Sequence, residues 1–378
     1  MATREAQSGT ALRQRTELCE AGAVDRAEWD ELADRAAVPP FSRPGWIDAY
    51  WRAFATGQPV AIVVRRGDRL AGVLPLERRR GVLRSATNWQ TPLFGPVAED
   101  AEAAVALAEE LFRRVRRRAD LGFLDREALG LAEARSTAEA AGLRTLERTM
   151  TRAPYVPIEG SFDEFMAGLE RKFRKEIGRR WRRLEDQGEV EVAYEDGSRD
   201  LDLLLDEGFR LEGSGWKSAA GTAIASDPVR ERFYREVCAW AATRGWLTLA
   251  FLRVGGRAVA FDLCIEVDRT CYVLKGGFDT EARSLGPGVL LTHDELRRAF
   301  EAGFTSYELL GEADEYKLHW TRTVRERVRL QVFPRSPLGG VEHAAWRRGR
   351  TAAKRARATL GRLQRRQLPS GSWRSRNP

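Results

Sequence analysis

Apolar and polar positions along the chain switch between a period near 3.6 and a period near 2, and the switches mark out helices and strands. Arg26–Ala36 and Pro44–Phe54 sort as helices, the second with Trp46, Tyr50 and Trp51 on one side. Pro59–Arg65 and Arg69–Pro75 alternate as strands around the tight turn Gly67-Asp68. Asp100–Arg118 has a helical pattern, Leu121–Leu124 that of a short strand, Leu131–Ala141 that of a helix closed by Gly142, and Arg144–Met150 that of a strand. Met1–Arg15 is polar and is expected to fray.

From Tyr155 the pattern restarts. A strand to Ile158 is followed by a capping box, Ser161 with Glu164, which opens a long helix to about Gln187. Glu189–Tyr194 is a strand, and Asp200–Glu212 a helix that delivers Gly213-Ser214-Gly215-Trp216. Asp227 and Pro228 open a helix to Arg244 as N-cap and first residue, and strands Leu247–Leu252 and Ala258–Glu266 join at Gly255-Gly256. Strands alternating with helices predict an α/β (α+β) fold with a mixed central sheet flanked by helices.

The stretch Tyr272–Phe304 organises the rest. Tyr272-Val273-Leu274 is a short strand running into Gly276-Gly277-Phe278-Asp279, where a regular strand is expected to break. Arg283-Ser284-Leu285-Gly286-Pro287-Gly288 then opens a helix, and Pro287 suits its first turn because a missing N–H costs nothing there. A glycine turn at a helix N-terminus, fed by a strand, suits an anionic phosphate, since free N–H groups and the positive dipole end converge on it. Ser306–Leu310, Ala313–Trp320 and Val324–Phe333 follow as strand, short helix and strand.

At 378 residues, 43% hydrophobic and with 11 tryptophans, the chain is long and apolar enough for two domains with cores of their own. Its four cysteines show no CxxC or Cys/His ligand spacing, which argues against a metal site and for a reducing compartment. Neither a signal-peptide run nor eighteen consecutive apolar residues occurs, so a cytoplasmic location is expected. The net charge of +8 is concentrated at the end: Ser336–Pro378 holds eleven Arg/Lys against one acid, Glu342, and the remaining chain is close to neutral. That tail is expected to be helical or disordered, open to anionic membrane, to RNA or to plain solvation.

Arg283-x-x-Gly286-x-Gly288 resembles the Gln/Arg-x-x-Gly-x-Gly/Ala acyl-CoA signature of the GNAT acyltransferase superfamily. With Leu211-Glu212-Gly213-Ser214-Gly215-Trp216-Lys217 before it, Lys275-Gly276-Gly277-Phe278-Asp279 at it and Glu312-Ala313-Asp314-Glu315-Tyr316-Lys317 after it, the chain resembles CelD/BcsL-type acetyltransferases. The relatives of that branch include FemAB-like aminoacyl transferases. The resemblance implies two GNAT-like domains: a flexible N-terminus (1–25), a first half without its own cofactor (26–153), a second half with the acyl-CoA site (154–335) and the basic tail (336–378). It implies acyl-CoA, as co-substrate, at Lys275, Gly276, Gly277, Phe278, Arg283, Leu285, Gly286, Gly288 and Val289, and an acceptor near Trp216, Lys217, Glu312 and Lys317. Pro287 departs from the signature by removing one N–H from the phosphate cradle.

Acyl transfer from a thioester to an amine needs a proton acceptor, donors for the thioester oxygen and a partner for the departing thiolate. Asp279 and Glu212 lead the carboxylates near predicted element ends as the first, ahead of Glu308 and Glu312; Tyr316 is the acid for the thiolate. Asp262, in mid-strand, is expected to face solvent and is left out. His293 and His319 are expected to be structural or exposed. Only six of the 63 basic residues are Lys, and Lys172, Lys217, Lys275 and Lys317 lie in or beside these stretches, consistent with contacts that need a compact ammonium. Arg171–Arg183 carries eight basic residues outside an apolar stripe of Phe173, Ile177, Trp181 and Leu184.

The function expected from all this is acyl-CoA-dependent N-acyltransfer, in the simplest case acetyl transfer, to an amine or hydroxyl of a small molecule, polysaccharide or envelope precursor. Two alternatives stand beside it: a FemAB-like transferase using aminoacyl-tRNA, and a non-catalytic binding protein that keeps the fold.

Overall fold

A computed structural model describes residues 14–214 and 223–349. Its strands are β1 (Gln14–Glu20), β2 (Gln58–Arg66), β3 (Arg69–Arg79), β4 (Val82–Ser85), β5 (Val97–Ala98), β6 (Arg118–Asp125), β7 (Arg144–Pro157), β8 (Val190–Glu195), β9 (Leu247–Val254), β10 (Arg257–Val267), β11 (Thr270–Phe278), β12 (Ser306–Glu308) and β13 (Val324–Phe333). They form one sheet in the order β1-β2-β3-β4-β6-β13-β7-β12-β11-β10-β9-β8, with β5 on β3.

The chain runs through one sequence of elements twice. An outer strand, two helices, three strands in antiparallel succession, a long helix, a strand parallel to the third of those strands, a short helix and a last strand occur first as β1 to β7, with the two-residue β5 added before the long helix, and again as β8 to β13. The parallel pairs are β4 with β6 and β11 with β12. The last strands are exchanged: β13 crosses back to lie between β6 and β7, antiparallel to both.

This exchange explains one difference from the sequence reading. Arg144–Met150 and Tyr155–Ile158 are one strand, because Arg144–Pro154 pairs with β13 and Tyr155–Pro157 with β12. Long-range partners override the weak pattern between the two runs. Three further boundaries move. The helix expected over Asp100–Arg118 ends at Arg114, since Arg118 is drawn into β6 opposite Val82. The helix expected from Ser161 to Gln187 breaks at an extended Leu169 into Phe162–Gly168 and Arg171–Glu185, although the Ser161/Glu164 capping box forms. Gln14–Glu20, inside the stretch expected to be flexible, is a strand on β2.

Three apolar clusters hold the sheet. One face carries the helices Arg26–Arg35, Pro44–Phe54, Leu201–Glu212 and Pro228–Thr243, whose Trp29, Trp46, Phe209, Phe233 and Tyr234 share a core with Phe251, Phe261 and Tyr272. Both runs of the chain contribute to it: Phe41 meets Trp46 and Tyr272 edge-on, and Trp46 meets Phe233. Burial of each such side chain contributes roughly 1.5–3 kcal/mol. The opposite face is covered by Ala101–Arg114 and Leu131–Ala140 over the first strands, and by Arg171–Glu185 and Pro287–Glu301 over the later ones. On Arg171–Glu185 the inward residues are those the stripe predicts, with Ile177 and Leu184 buried and Phe173 and Trp181 partly so. Residues 337–349 are helical and pack back at the start of β6, where the tail's one acid, Glu342, meets Arg117 and Arg118 and Trp346 lies under Arg118.

Candidate functional site

Strand β11 does not break at its glycines. It runs on to Phe278 against β10, with Leu274 as an extra residue between the pairs Cys264–Val273 and Leu263–Lys275. A bulge of this kind re-aims a strand and increases its twist. The glycines are there because neighbours occupy the space of a side chain. A Cβ on Gly276 would overlap the Asp262 carboxylate, and one on Gly277 would overlap the backbone of Leu211 and Glu212. β12 pairs with β11 only over Thr270–Tyr272, so the two parallel strands part where the bulge begins. Asp262, expected to face solvent, is 9% exposed, because its side of β10 lies under the Pro287–Glu301 helix.

After Phe278 the chain makes a short 3-10 helix, Thr280–Leu285, capped by Asp279, whose carboxylate accepts from Glu281 N–H at 2.9 Å and pairs with Arg257. Gly286 then turns through φ +65°, a left-handed conformation that costs a side-chain-bearing residue about 1–2 kcal/mol. Pro287 is the first residue of the fifteen-residue helix to Glu301. Gly286 N–H bonds Arg283 O, and Val289 and Leu290 N–H bond Gly286 O, so Gly288 N–H is the donor left at the helix end. Arg180 covers this turn: a Cβ on Gly286 would fall inside its guanidinium. Arg183 donates to Ser284 O at 3.2 Å. The inner edge of the basic helix thus brings two guanidinium groups to the phosphate-type turn. In the sequence they are indistinguishable from the six other basic residues around them.

The equivalent places in the first run of the chain are built differently. Asp100 caps Ala101–Arg114 through Ala103 N–H at 2.9 Å, and its bond to Arg66 holds its carboxyl down at about 2. An anion at that helix end would meet a carboxylate. Beyond the β4–β6 pairing, Phe94 enters the opening, donating to Phe123 O at 2.9 Å and bridging to Leu124.

On the other face of β11, Glu212 ends the Leu201–Glu212 helix, 1% exposed, and accepts from Ile224 N–H at 2.8 Å. Ser214 ties that helix to the strand end, donating to Phe278 O at 2.9 Å and accepting from Thr280 N–H at 3.1 Å. Trp216 and Lys217, expected in the acceptor pocket, lie outside the described residues. Lys275 extends over the ring of Tyr234, 5.4 Å from its centre, and Tyr234 donates to Gln90 of the first run at 2.9 Å. Burial, and then the nearby Glu212 charge, push the Tyr234 phenol well above its ordinary value. Sequence reasoning missed Tyr234 and Gln90, which come together only through the fold.

Beyond β12, Leu310 turns with φ +50°. Lys317 is buried there and holds the turn by donating to Leu310 O at 2.8 Å and Glu312 O at 3.2 Å. The neighbouring Tyr316 is 60% exposed, and the Glu312 side chain is exposed. His293 accepts from Trp181 at 3.3 Å, and burial lowers its pKa; His319 stacks on Phe173. Among the described residues, no group of three or more His, Cys, Asp or Glu could hold a metal ion, and no helix is long and apolar enough to cross a membrane.

The acetyltransferase (GNAT) domain family matches residues 171–318, which contain the bulged strand, the turn and the helix after it. Among solved structures, FemX has a TM-score of 0.56 at 13% identity, over 83% of this chain and 96% of its own. The C-terminal domain of an Agrobacterium fabrum protein assigned as a lysylphosphatidylglycerol synthetase has a TM-score of 0.53 at 15% identity, over 85% of this chain and 96% of its own. No curated protein matches the sequence. Residues 171–318 thus carry a GNAT-type domain, and that match supports acyltransferase activity in general terms.

Proposed function

We propose that the protein is an acyl-CoA-dependent N-acyltransferase of the CelD/BcsL type, in the simplest case an acetyltransferase, built from two GNAT-like domains of which the second binds the donor. The observation that carries this reading is the continuity from the parted, bulged strand β11 to the Gly286 turn beneath Arg180. A thioester laid along the free edge of β11 has backbone N–H groups for its oxygen, and its phosphates reach the helix end, where Gly288 N–H, the helix dipole and two guanidinium groups favour negative charge. Lys275, Gly276, Gly277, Phe278, Arg283, Leu285 and Val289 complete the cradle in this reading.

The acceptor enters from the face of Glu212 and Lys275, with Trp216, Lys217, Glu312 and Lys317 assigned to its surroundings. Glu212 and Asp279 are the carboxylates assigned to its path, and the exposed Tyr316 is assigned to the departing thiolate. We assign the protein to the cytoplasm and its basic tail to anionic membrane or RNA.

The experiment is thiol release from acetyl-CoA by the purified protein with a panel of amines and amino sugars. Release that depends on the amine supports the reading. A second reading, aminoacyl-tRNA as donor, draws on the basic outer face of Arg171–Glu185, where Arg179 is 60% exposed. Retention of aminoacyl-tRNA with no binding of any acyl-CoA would favour it.

A further inference from the structure

Glu308 is the last residue of β12, at the point where β11 and β12 part: it pairs with Tyr272 on one side and with Tyr155 of β7 on the other. It is 3% exposed. One carboxylate oxygen, Oε1, is fixed by Ser306 Oγ at 2.8 Å and Arg325 Nε at 2.9 Å. Arg325 is itself set by stacking on the Tyr155 ring, 3.9 Å from its centre. The second oxygen, Oε2, is buried and has no hydrogen-bond partner among the described residues. A buried carboxylate oxygen without a donor is costly, and one that persists calls for an explanation.

The other carboxylates at the site differ. Glu212 is engaged by Ile224 N–H, and Asp279 by Arg257 and Glu281 N–H. Asp262 is hydrogen-bonded to Glu295, which also accepts from Tyr307 at 2.7 Å. Glu308 alone among these combines an oxygen locked in place with one lacking a donor, which is the arrangement a general base needs: an orienting partner on one side and room for a proton on the other.

We propose that Glu308 Oε2 takes the proton of the acceptor during acyl transfer. This rests on the donor reading given above. The acceptor nitrogen attacks the thioester carbonyl carbon, the C–N bond forms, and the N–H proton passes to Oε2. The C–S bond breaks, sulfur leaves with the electron pair and is protonated from Tyr316 or water. Glu308 then returns its proton to solvent, so thioester and amine give amide and thiol with nothing else consumed. Leu310 and Lys317 serve the same end by fixing the turn that follows Glu308.

The test has two parts. With acetyl-CoA as donor and hydroxylamine as the acceptor probe, Glu308→Gln, which keeps an oxygen for Arg325 and Ser306, is expected to lower thiol release at least a hundredfold while acetyl-CoA affinity stays within threefold. Turnover within threefold of the wild type overturns the proposal. Independently of turnover, a crystal structure of the wild-type acetyl-CoA complex is expected to show Oε2 within direct or one-water reach of the thioester carbon. Acetyl-CoA bound in the cradle with Oε2 facing away, or capped by a protein donor, overturns the role of Glu308 and leaves the donor assignment standing. Failure of the wild type to bind acetyl-CoA overturns both.

Discussion

The guanidinium of Arg180 lies in the space that any side chain on Gly286 would need. A residue of the basic helix and the left-handed glycine of the donor turn therefore form one surface, and the sharpest use of that basic helix is local. Arg180→Ala is expected to weaken acetyl-CoA binding about tenfold, the scale of losing one charge-assisted contact of roughly 1.5 kcal/mol. Arg179→Ala, one position away and 60% exposed, is expected to leave affinity within a factor of two. Titration calorimetry of the two variants at the same salt concentration checks the difference.

Gly277 and Gly288 look alike in the sequence and should behave oppositely. A Cβ at 277 would overlap the Leu211–Glu212 backbone, whereas one at 288 would meet only Phe278, at an ordinary 3.6 Å. Gly277→Ala is expected to cost about 1–3 kcal/mol of stability or more by overpacking. Gly288→Ala, inside a helix, is expected to be neutral or to stabilise by up to about 1 kcal/mol. Urea unfolding midpoints decide, and equal losses would contradict this packing.

Glu295 gives stability a particular pH dependence. Burial raises its carboxyl above the ordinary 4.5, against the opposing bonds from Tyr307, Asp262 and Cys264. The folded state therefore holds a proton that the unfolded chain releases above 4.5. By linkage, this glutamate is without penalty below that pH and lowers stability progressively as pH rises from there toward its folded value. Glu295→Gln cannot ionise, so the stability difference, variant minus wild type, should grow in the variant's favour as pH climbs above about 4.5. Chemical denaturation of both proteins across that range measures it, and a flat difference would contradict a raised carboxyl.

The exchange of β13 makes the two runs of the chain interdependent. A fragment of residues 154–335 would keep β13 but lose β6 and most of β7, the strands on either side of it. Such a fragment is expected to be aggregated or unfolded, because β13 would present an unpaired edge on both sides. A soluble, cooperatively unfolding fragment, seen by circular dichroism and size-exclusion chromatography, would contradict that interdependence.

How far the sequence carried depended on the range of the interactions involved. Helix ends set by local chemistry were legible: Pro287 begins its helix, Asp227 caps Pro228–Thr243, and Ser161 with Glu164 forms its capping box. Positions decided by distant partners were not. Gly276 and Gly277 looked like the end of a strand because nothing near them announces Asp262 or the Glu212 backbone. The unity of β7 is not legible locally, because β13, which pairs along most of it, lies about half the chain away. At the site, the glycine turn was visible, while Arg180 and the Gln90–Tyr234 bond across the two runs were not. The burial of Asp262 is equally illegible along its own strand, because the Pro287–Glu301 helix that covers it comes later in the sequence.

The most direct measurement is a calorimetric titration of the full chain with acetyl-CoA, side by side with Gly286→Leu. That substitution strains a φ of +65° and collides with Arg180, while leaving the strands and the core in place. The account predicts saturable binding by the wild type, lost or weakened at least a hundredfold in a variant that remains folded by circular dichroism. Equal binding by both proteins, or none by the wild type, would contradict a donor site at this turn.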